Sequence, residues 1–153
     1  MDETDRTGPD RLFVYGTLMK RWPNSYARRL HSESAYLGAA RIPGRLYLIG
    51  YFPGLAAAER TTDRVFGELV QLRTPARTLR WLDSYEGCGE GDPEPRIYAR
   101  VKIPVVLTPG KSLEAWTYYH MGACHSARRL HGGRFMKNSP LRPNAQAAVS
   151  RNA

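Results

Sequence analysis

The chain has 153 residues, a formal net charge of +9 and an apolar fraction of 42%. That length holds one domain with a modest core and is short for two, and the composition is globular, not that of a disordered chain. No apolar run reaches the length of a bilayer span, and Cys88 and Cys124 alone make neither a disulfide framework nor a zinc pattern.

Residues 1–10 are polar and carry Asp2, Glu3, Asp5 and Asp10. With no basic n-region and no apolar h-region they read as a flexible segment and not as a secretory signal, so a cytoplasmic protein is expected. Leu12 to Tyr15 is a short apolar run that stops at Gly16, which predicts a strand entering a tight loop. Asn24-Ser25 predicts the cap of a short helix through Leu30, with Tyr26 and Leu30 on one face. Ala35 to Ala40 and Arg45 to Ile49 read as strands parted by Pro43-Gly44, and Phe52-Pro53-Gly54-Leu55 reads as a further turn. Val65 to Leu72, dense in β-branched and apolar residues, predicts a strand buried on both faces.

Thr74-Pro75 is a helix start, Thr as cap and Pro at the first helical position. Leu79 and Leu82 supply the packing face with Trp81 flanking it, and Gly87 stands where a left-handed cap ends the helix. Glu86 therefore falls in the last turn. Gly89 to Pro95 is a loop, and Ile97 to Leu107 a long strand in which Pro104 marks an edge or a bulge. Pro109-Gly110 turns the chain, and Leu113 to Tyr119 returns as the last strand. About six strands that do not alternate with the two helices make the fold class α+β, in one domain over residues 11–137.

No glycine-rich phosphate fingerprint follows a strand, so no nucleotide cofactor is expected. His120, Cys124, His125 and His131 match no ligand spacing and read as scattered surface residues, not as a metal site. After Glu114 the chain has no acid, while Arg128, Arg129, Arg134, Lys137, Arg142 and Arg151 follow. Residues 138–153 thus read as a basic flexible tail. With only Phe135 nearby for stacking, that tail reads as solvated and not as a nucleic-acid contact.

Two segments carry chemistry. In Tyr15-Gly16-Thr17-Leu18, a glycine after a strand lets successive backbone N–H groups face one concavity, a nest that attracts a carboxylate or an oxyanion. In Leu82-Asp83-Ser84-Tyr85-Glu86-Gly87, the glutamate sits at the negative end of a helix, with Trp81, Leu82 and Tyr85 able to desolvate it. Both effects raise a carboxyl pKa toward the range of a general base at neutral pH. A donor-rich loop with one tuned carboxylate suits acyl transfer on a small substrate.

These segments belong to a longer ordered series: Leu37-Gly38, Gly44-Arg45-Leu46-Tyr47, Phe52-Pro53-Gly54, Val65-Phe66-Gly67-Glu68-Leu69 and Tyr98-Ala99-Arg100 accompany them. The series, in register from Arg11 to Tyr119, resembles the gamma-glutamylcyclotransferase-like superfamily. The Tyr-Gly-Thr-Leu form and short chain are similar to its gamma-glutamylamine cyclotransferase branch, more than to the larger glutathione-degrading branch. The resemblance implies a small mixed β-barrel flanked by helices, with a cavity between the Tyr15–Leu18 loop and a catalytic glutamate matching Glu86. It also implies conversion of a γ-glutamyl amine or γ-glutamyl amino acid to 5-oxoproline and a free amine, without metal or cofactor.

In that reaction Glu86 carries the proton, and the N–H groups of Gly16, Thr17 and Leu18 hold the α-carboxylate or the oxyanion. Tyr98 and Tyr119 are either hydroxyl donors from facing strands or barrel-wall aromatics. Glu68 shares a period-two face with Phe66, Val70 and Leu72 and reads as a structural carboxylate, with Arg45 or Arg100 as its partner. Arg100 reads as an ion-pair residue before a substrate clamp. The expected partner is a small γ-glutamyl molecule; neither a membrane nor nucleic acid is expected. A non-catalytic relative that binds a γ-glutamyl or carboxylate ligand in the same cavity is the competing function, and a basic nucleic-acid-associated domain the third.

Overall fold

Four consecutive apolar residues, Leu12 to Tyr15, are all buried because the first strand is a wall shared by two cores. The computed structural model describes residues 9–93, 96–122 and 127–135. In strand β1 (Arg11–Val14), Leu12 and Val14 face a core that includes Leu30, Leu79, Leu82 and Tyr85. Phe13 and the following Tyr15 face a second, which includes Ile42, Leu55, Leu69 and Phe135. Period-two alternation with both faces covered leaves no position for a polar residue.

The two helices close the first core. In α1 (Ser25–Ser32), Asn24 accepts from the Ala27 N–H at 2.8 Å as the cap, and Ala27 and Leu30 are buried. In α2 (Pro75–Glu86), Thr74 holds the cap position but its hydroxyl makes no capping bond. Gly87, at φ 79°, ends α2. The Gly87 N–H reaches the Ser84 carbonyl at 3.2 Å and the Cys88 N–H reaches the Asp83 carbonyl at 2.8 Å. This double closure satisfies the last carbonyls of the helix.

β1, β5 (Arg64–Leu72), β2 (Ser34–Pro43), β6 (Tyr98–Leu107) and β7 (Lys111–His120) form a closed barrel in that order. Its seam is the parallel contact of β1 with β7, Leu12 beside Trp116, while every other pair is antiparallel. The fold is thus the expected α+β barrel flanked by helices. A second sheet orders β4 (Phe52–Ala56), β3 (Arg45–Ile49) and β8 (Arg128–Arg129).

β4 corrects the turn expected at Phe52–Leu55. The reversal lies one step earlier, at Gly50-Tyr51, with Gly50 at φ 67°. β4 is an edge strand, where a proline's missing N–H leaves no ladder bond unmade. Gly54 belongs there because a Cβ would fall 2.3 Å from Ile49 Cδ1. β4 and β8 bring the strands among the described residues to eight, against the six or so expected. Residues 1–8, the expected tail from 138, and Cys124, His125, Glu94 and Pro95 lie outside the described residues. Among the described residues no helix is long and apolar enough to cross a membrane.

Gly67 sets the spacing between β5 and β1. A Cβ there would meet the Val14 carbonyl oxygen at 2.1 Å and Phe13 Cζ at 2.9 Å, so the two strands would have to part. Gly67→Ala is expected to cost about 1–3 kcal/mol of stability, the usual price of overpacking. Urea unfolding would show this as a lowered midpoint; an unchanged midpoint would mean that β1 yields freely.

Candidate active site

The chain leaves β1 at Val14 and enters a loop held from behind through its carbonyls. Asn24, already the cap of α1, donates from Nδ2 to the Thr17 carbonyl at 2.9 Å, and His31 Nε2 lies 2.9 Å from the Leu18 carbonyl. The Met19 N–H closes a turn onto the Gly16 carbonyl at 3.1 Å, and the Lys20 N–H is bound by Glu68 Oε1 at 2.7 Å. Among the described residues, nothing accepts from the N–H groups of Gly16 or Leu18. Carbonyls engaged and amides unengaged is the pattern of an anion nest. Gly16 does not adopt a positive φ. Its lack of a side chain serves close approach instead, since a Cβ there would lie 2.6 Å from Pro53 Cγ on β4.

Tyr15, Gly16, Thr17 and Leu18 line one wall of a small pocket of about 50 Å³ at the end of β1, where the two cores meet. Tyr85 and Glu86 from the last turn of α2, Pro53 from β4, Tyr98 from β6 and Tyr118 from β7 complete it. The pocket is mostly apolar, with one carboxyl. Glu86 keeps some exposure through the pocket mouth but is otherwise surrounded by protein, and among the described residues nothing donates a hydrogen bond to it. Its pKa rises from the ordinary 4.5 to about 8, first because burial disfavours the charged form and second because of the Asp83 carboxylate. Trp81 does not line the pocket; it turns to α1, donating from Nε1 to Glu33 at 3.0 Å beneath the Arg29 guanidinium.

The hydroxyls of the three pocket tyrosines Tyr15, Tyr98 and Tyr118 tie neighbouring elements together. The Tyr98 hydroxyl donates to the Pro53 carbonyl at 3.0 Å, and Tyr15 donates to the Tyr118 carbonyl at 2.7 Å. Tyr118 donates to Asp83 Oδ1 at 2.7 Å. Burial holds the Tyr15 and Tyr118 hydroxyls well above their ordinary pKa, so both stay protonated. Tyr98 therefore stands in the pocket with its proton committed to protein. Tyr119 is half-buried against the second core, outside the pocket lining, and its neighbour Tyr118 takes that place. The parity of β7 was the available signal: adjacent strand residues face opposite ways, so only one of the two tyrosines reaches the site.

Glu68 is corrected in both position and partner. Its face of β5 is covered at Val70 and Leu72 by the helices but only half-covered at Glu68, where the partners are the Lys20 N–H and the Tyr36 hydroxyl. Arg45 instead pairs with Glu59 and Tyr47, and Arg100 pairs with Asp83. The residue that sequence reasoning passed over is Asp83, which lies one helical turn before Glu86.

The gamma-glutamyl cyclotransferase, AIG2-like family model matches residues 12–137. The chain belongs to this family. A Methanocaldococcus jannaschii protein named "Putative gamma-glutamylcyclotransferase MJ1514" is 27% identical over 113 residues, which are 74% of this chain and 86% of that one. Among solved structures, a mouse AIG2-like protein superposes with a TM-score of 0.63 at 24% identity, covering 86% of this chain and 97% of its own. The Escherichia coli protein ytfP gives a TM-score of 0.56 at 27% identity over 85% of this chain and 99% of its own. YkqA from Bacillus subtilis gives 0.61 at 20% identity; it covers 94% of this chain, which spans only 43% of YkqA. These likenesses show the fold of the AIG2-like family.

A buried carboxyl with a raised pKa makes stability depend on pH. The Glu86 contribution is full below its ordinary 4.5 and is lost as pH rises through its folded value of about 8. Glu86→Gln removes the loss. Thermal melts at pH 5, 7 and 9 are expected to show the variant gaining on the wild type as pH rises, with the gap constant above about 8; a gap that does not change with pH would place the carboxyl in water.

Proposed function

We propose that this AIG2-like protein converts a γ-glutamyl amine or γ-glutamyl amino acid into 5-oxoproline and the free amine. One observation carries the reading: a largely enclosed carboxyl that has no donor among the described residues shares a pocket with a loop whose Gly16 and Leu18 amides have no acceptor among them. The family membership supports cyclotransferase chemistry; the substrate arm and the roles of residues are inferred from the site's chemistry.

The loop amides of Gly16, Thr17 and Leu18 bind the glutamyl α-carboxylate or the oxyanion that develops at the γ-carbonyl. The arm folds so that its own α-amine lies against its γ-carbonyl carbon, and closing a five-membered ring then needs orientation more than reactivity. Glu86 accepts a proton from the α-ammonium. The amine nitrogen bonds to the γ-carbon, the carbonyl electrons move to oxygen, and on their return the bond to the leaving nitrogen breaks. Glu86 returns its proton to that nitrogen, then takes the second proton from the ring nitrogen and passes it to the freed amine, so that 5-oxoproline and an ammonium leave and charge and atoms balance without a co-reactant. An acceptor near 8 matches an ammonium proton far better than an ordinary carboxylate does. The apolar walls, with Tyr15, Tyr98 and Tyr118 holding their protons within the protein, keep bulk water from competing for the carbonyl.

Glu86→Gln keeps the shape and cannot take the proton. With a panel of γ-glutamyl amines and dipeptides, 5-oxoproline release at saturating substrate is expected to fall by two or more orders of magnitude, the usual contribution of general acid–base catalysis. Calorimetric binding is expected to survive, since backbone amides hold the arm. Retained turnover in the variant would remove Glu86 from the mechanism, and binding without turnover in the wild type would make the protein a γ-glutamyl binder instead.

A further inference from the structure

Asp83 makes more contacts than a helix-surface aspartate needs. Its two oxygens take both prongs of the Arg100 guanidinium, Nε at 2.8 Å and Nη2 at 3.1 Å, and Oδ1 also accepts from the Tyr118 hydroxyl at 2.7 Å. Arg100 and Tyr118 are directly opposed across β6 and β7. One carboxylate thus grips both members of a cross-strand pair and ties the last turn of α2 to the barrel wall. The grip is sheltered, with the Asp83 and Arg100 side chains only 17% and 24% exposed, and the guanidinium lies 4.3 Å over the Trp116 ring. Bidentate geometry of this kind fixes orientation as well as distance.

The clamp is also next to the site. Asp83 precedes Glu86 by three residues, so the two carboxyls are neighbours on one helix face. Tyr118 lines the pocket, and its carbonyl holds the Tyr15 hydroxyl at 2.7 Å, at the root of the amide loop. The proposed reaction has no use for Arg100 or Asp83 as such. We infer that Asp83, held by Arg100, is the positioning residue of the site: it seats Glu86 against the amide loop, and the balance of the Asp83 and Arg100 charges governs when Glu86 releases its proton. This rests on the reading of Glu86 as the proton carrier.

The sign of each effect follows from charge. The titratable groups around Glu86 are Asp83 and Cys88 on its own stretch of chain, Tyr15 at the loop, Tyr98 on β6 and Tyr118 on β7. Burial holds the Tyr15 and Tyr118 hydroxyls well above their ordinary pKa, and burial with the Asp83 charge pushes the Cys88 thiol up to about 11, so these three stay neutral at neutral pH. Asp83 is therefore the anion that disfavours a second negative charge, and Arg100 is the cation that tempers it. Neutralising Asp83 should ease ionisation of Glu86, and neutralising Arg100 should hinder it. A purely structural role predicts otherwise, because loosening the clamp from either side would admit water and lower both midpoints toward an ordinary glutamate.

The test is the carboxyl-carbon titration of Glu86 by NMR in the full chain, labelled at glutamate carboxyl carbons, for wild type, Asp83→Asn, Arg100→Met and Arg100→Lys. The expected midpoints move by about one pH unit in opposite senses, down in Asp83→Asn and up in Arg100→Met. Arg100→Lys, which keeps the cation but not the fork, should stay nearer the wild type than Arg100→Met does, and a native near-ultraviolet circular dichroism spectrum of Arg100→Met shows that it does not act through misfolding. Midpoints that fall in both Asp83→Asn and Arg100→Met, or move in neither, would overturn the proposal. A wild type that forms no 5-oxoproline would overturn the reaction but not the clamp, whose midpoints are read without substrate.

Discussion

An ionised carboxylate inside a protein with no hydrogen-bond donor is among the costliest groups a small domain can hold. Glu86 avoids that cost by staying protonated, and most features of the site serve the conditions under which it does so. The pocket walls are apolar, and the nearby hydroxyls donate elsewhere. The charge that acts on Glu86 is the Asp83 carboxylate, which discourages a second anion. The same surroundings that favour the proton at rest make the ionised fraction a stronger base, and it is that fraction which accepts a proton from a substrate ammonium. Stability and proposed activity thus draw on one interaction with opposite preferences for charge.

The barrel positions this carboxyl against its counterpart. β1 can be buried on both faces only because the helices cover one side and the small sheet the other. The loop that follows it is consequently rooted in two cores at once. Asn24 ties this loop to α1, and Pro53 presses on it from β4 at a glycine where no side chain would fit. The amides are held rigid on one side of a narrow gap while α2 is clamped to β6 and β7 on the other. Preorganisation of this kind is what an orientation-limited ring closure requires.

Much of this was legible in the chain. Leu12 to Tyr15 followed by Gly16 reads as a strand meeting a loop because apolar continuity and a glycine stop are local signals. The Thr74-Pro75 start and Gly87 stop bracket α2 for the same reason, and so put Glu86 in its last turn. Signals that depend on partners were not readable. Pro53-Gly54 looks like a turn until β4 is known to be an edge strand. Glu68 looks buried by parity until the helices are found to cover only part of that face. Tyr118 and Tyr119 compete for one position that only the register of β7 with β6 assigns. Asp83 drew no attention because its importance arises from Arg100 and Tyr118, which lie 17 and 35 residues away in sequence.

The central claim is that a carboxyl with its pKa near 8 gates the chemistry by taking a proton from substrate. The pH dependence of kcat/KM for 5-oxoproline release by the wild type tests it most directly, because that ratio reports the ionisation of the free enzyme. The account predicts a limb that rises tenfold per pH unit below about 8 and then levels. A rate already level at pH 6 would contradict it, since the group that carries the proton would then be an ordinary carboxylate in water.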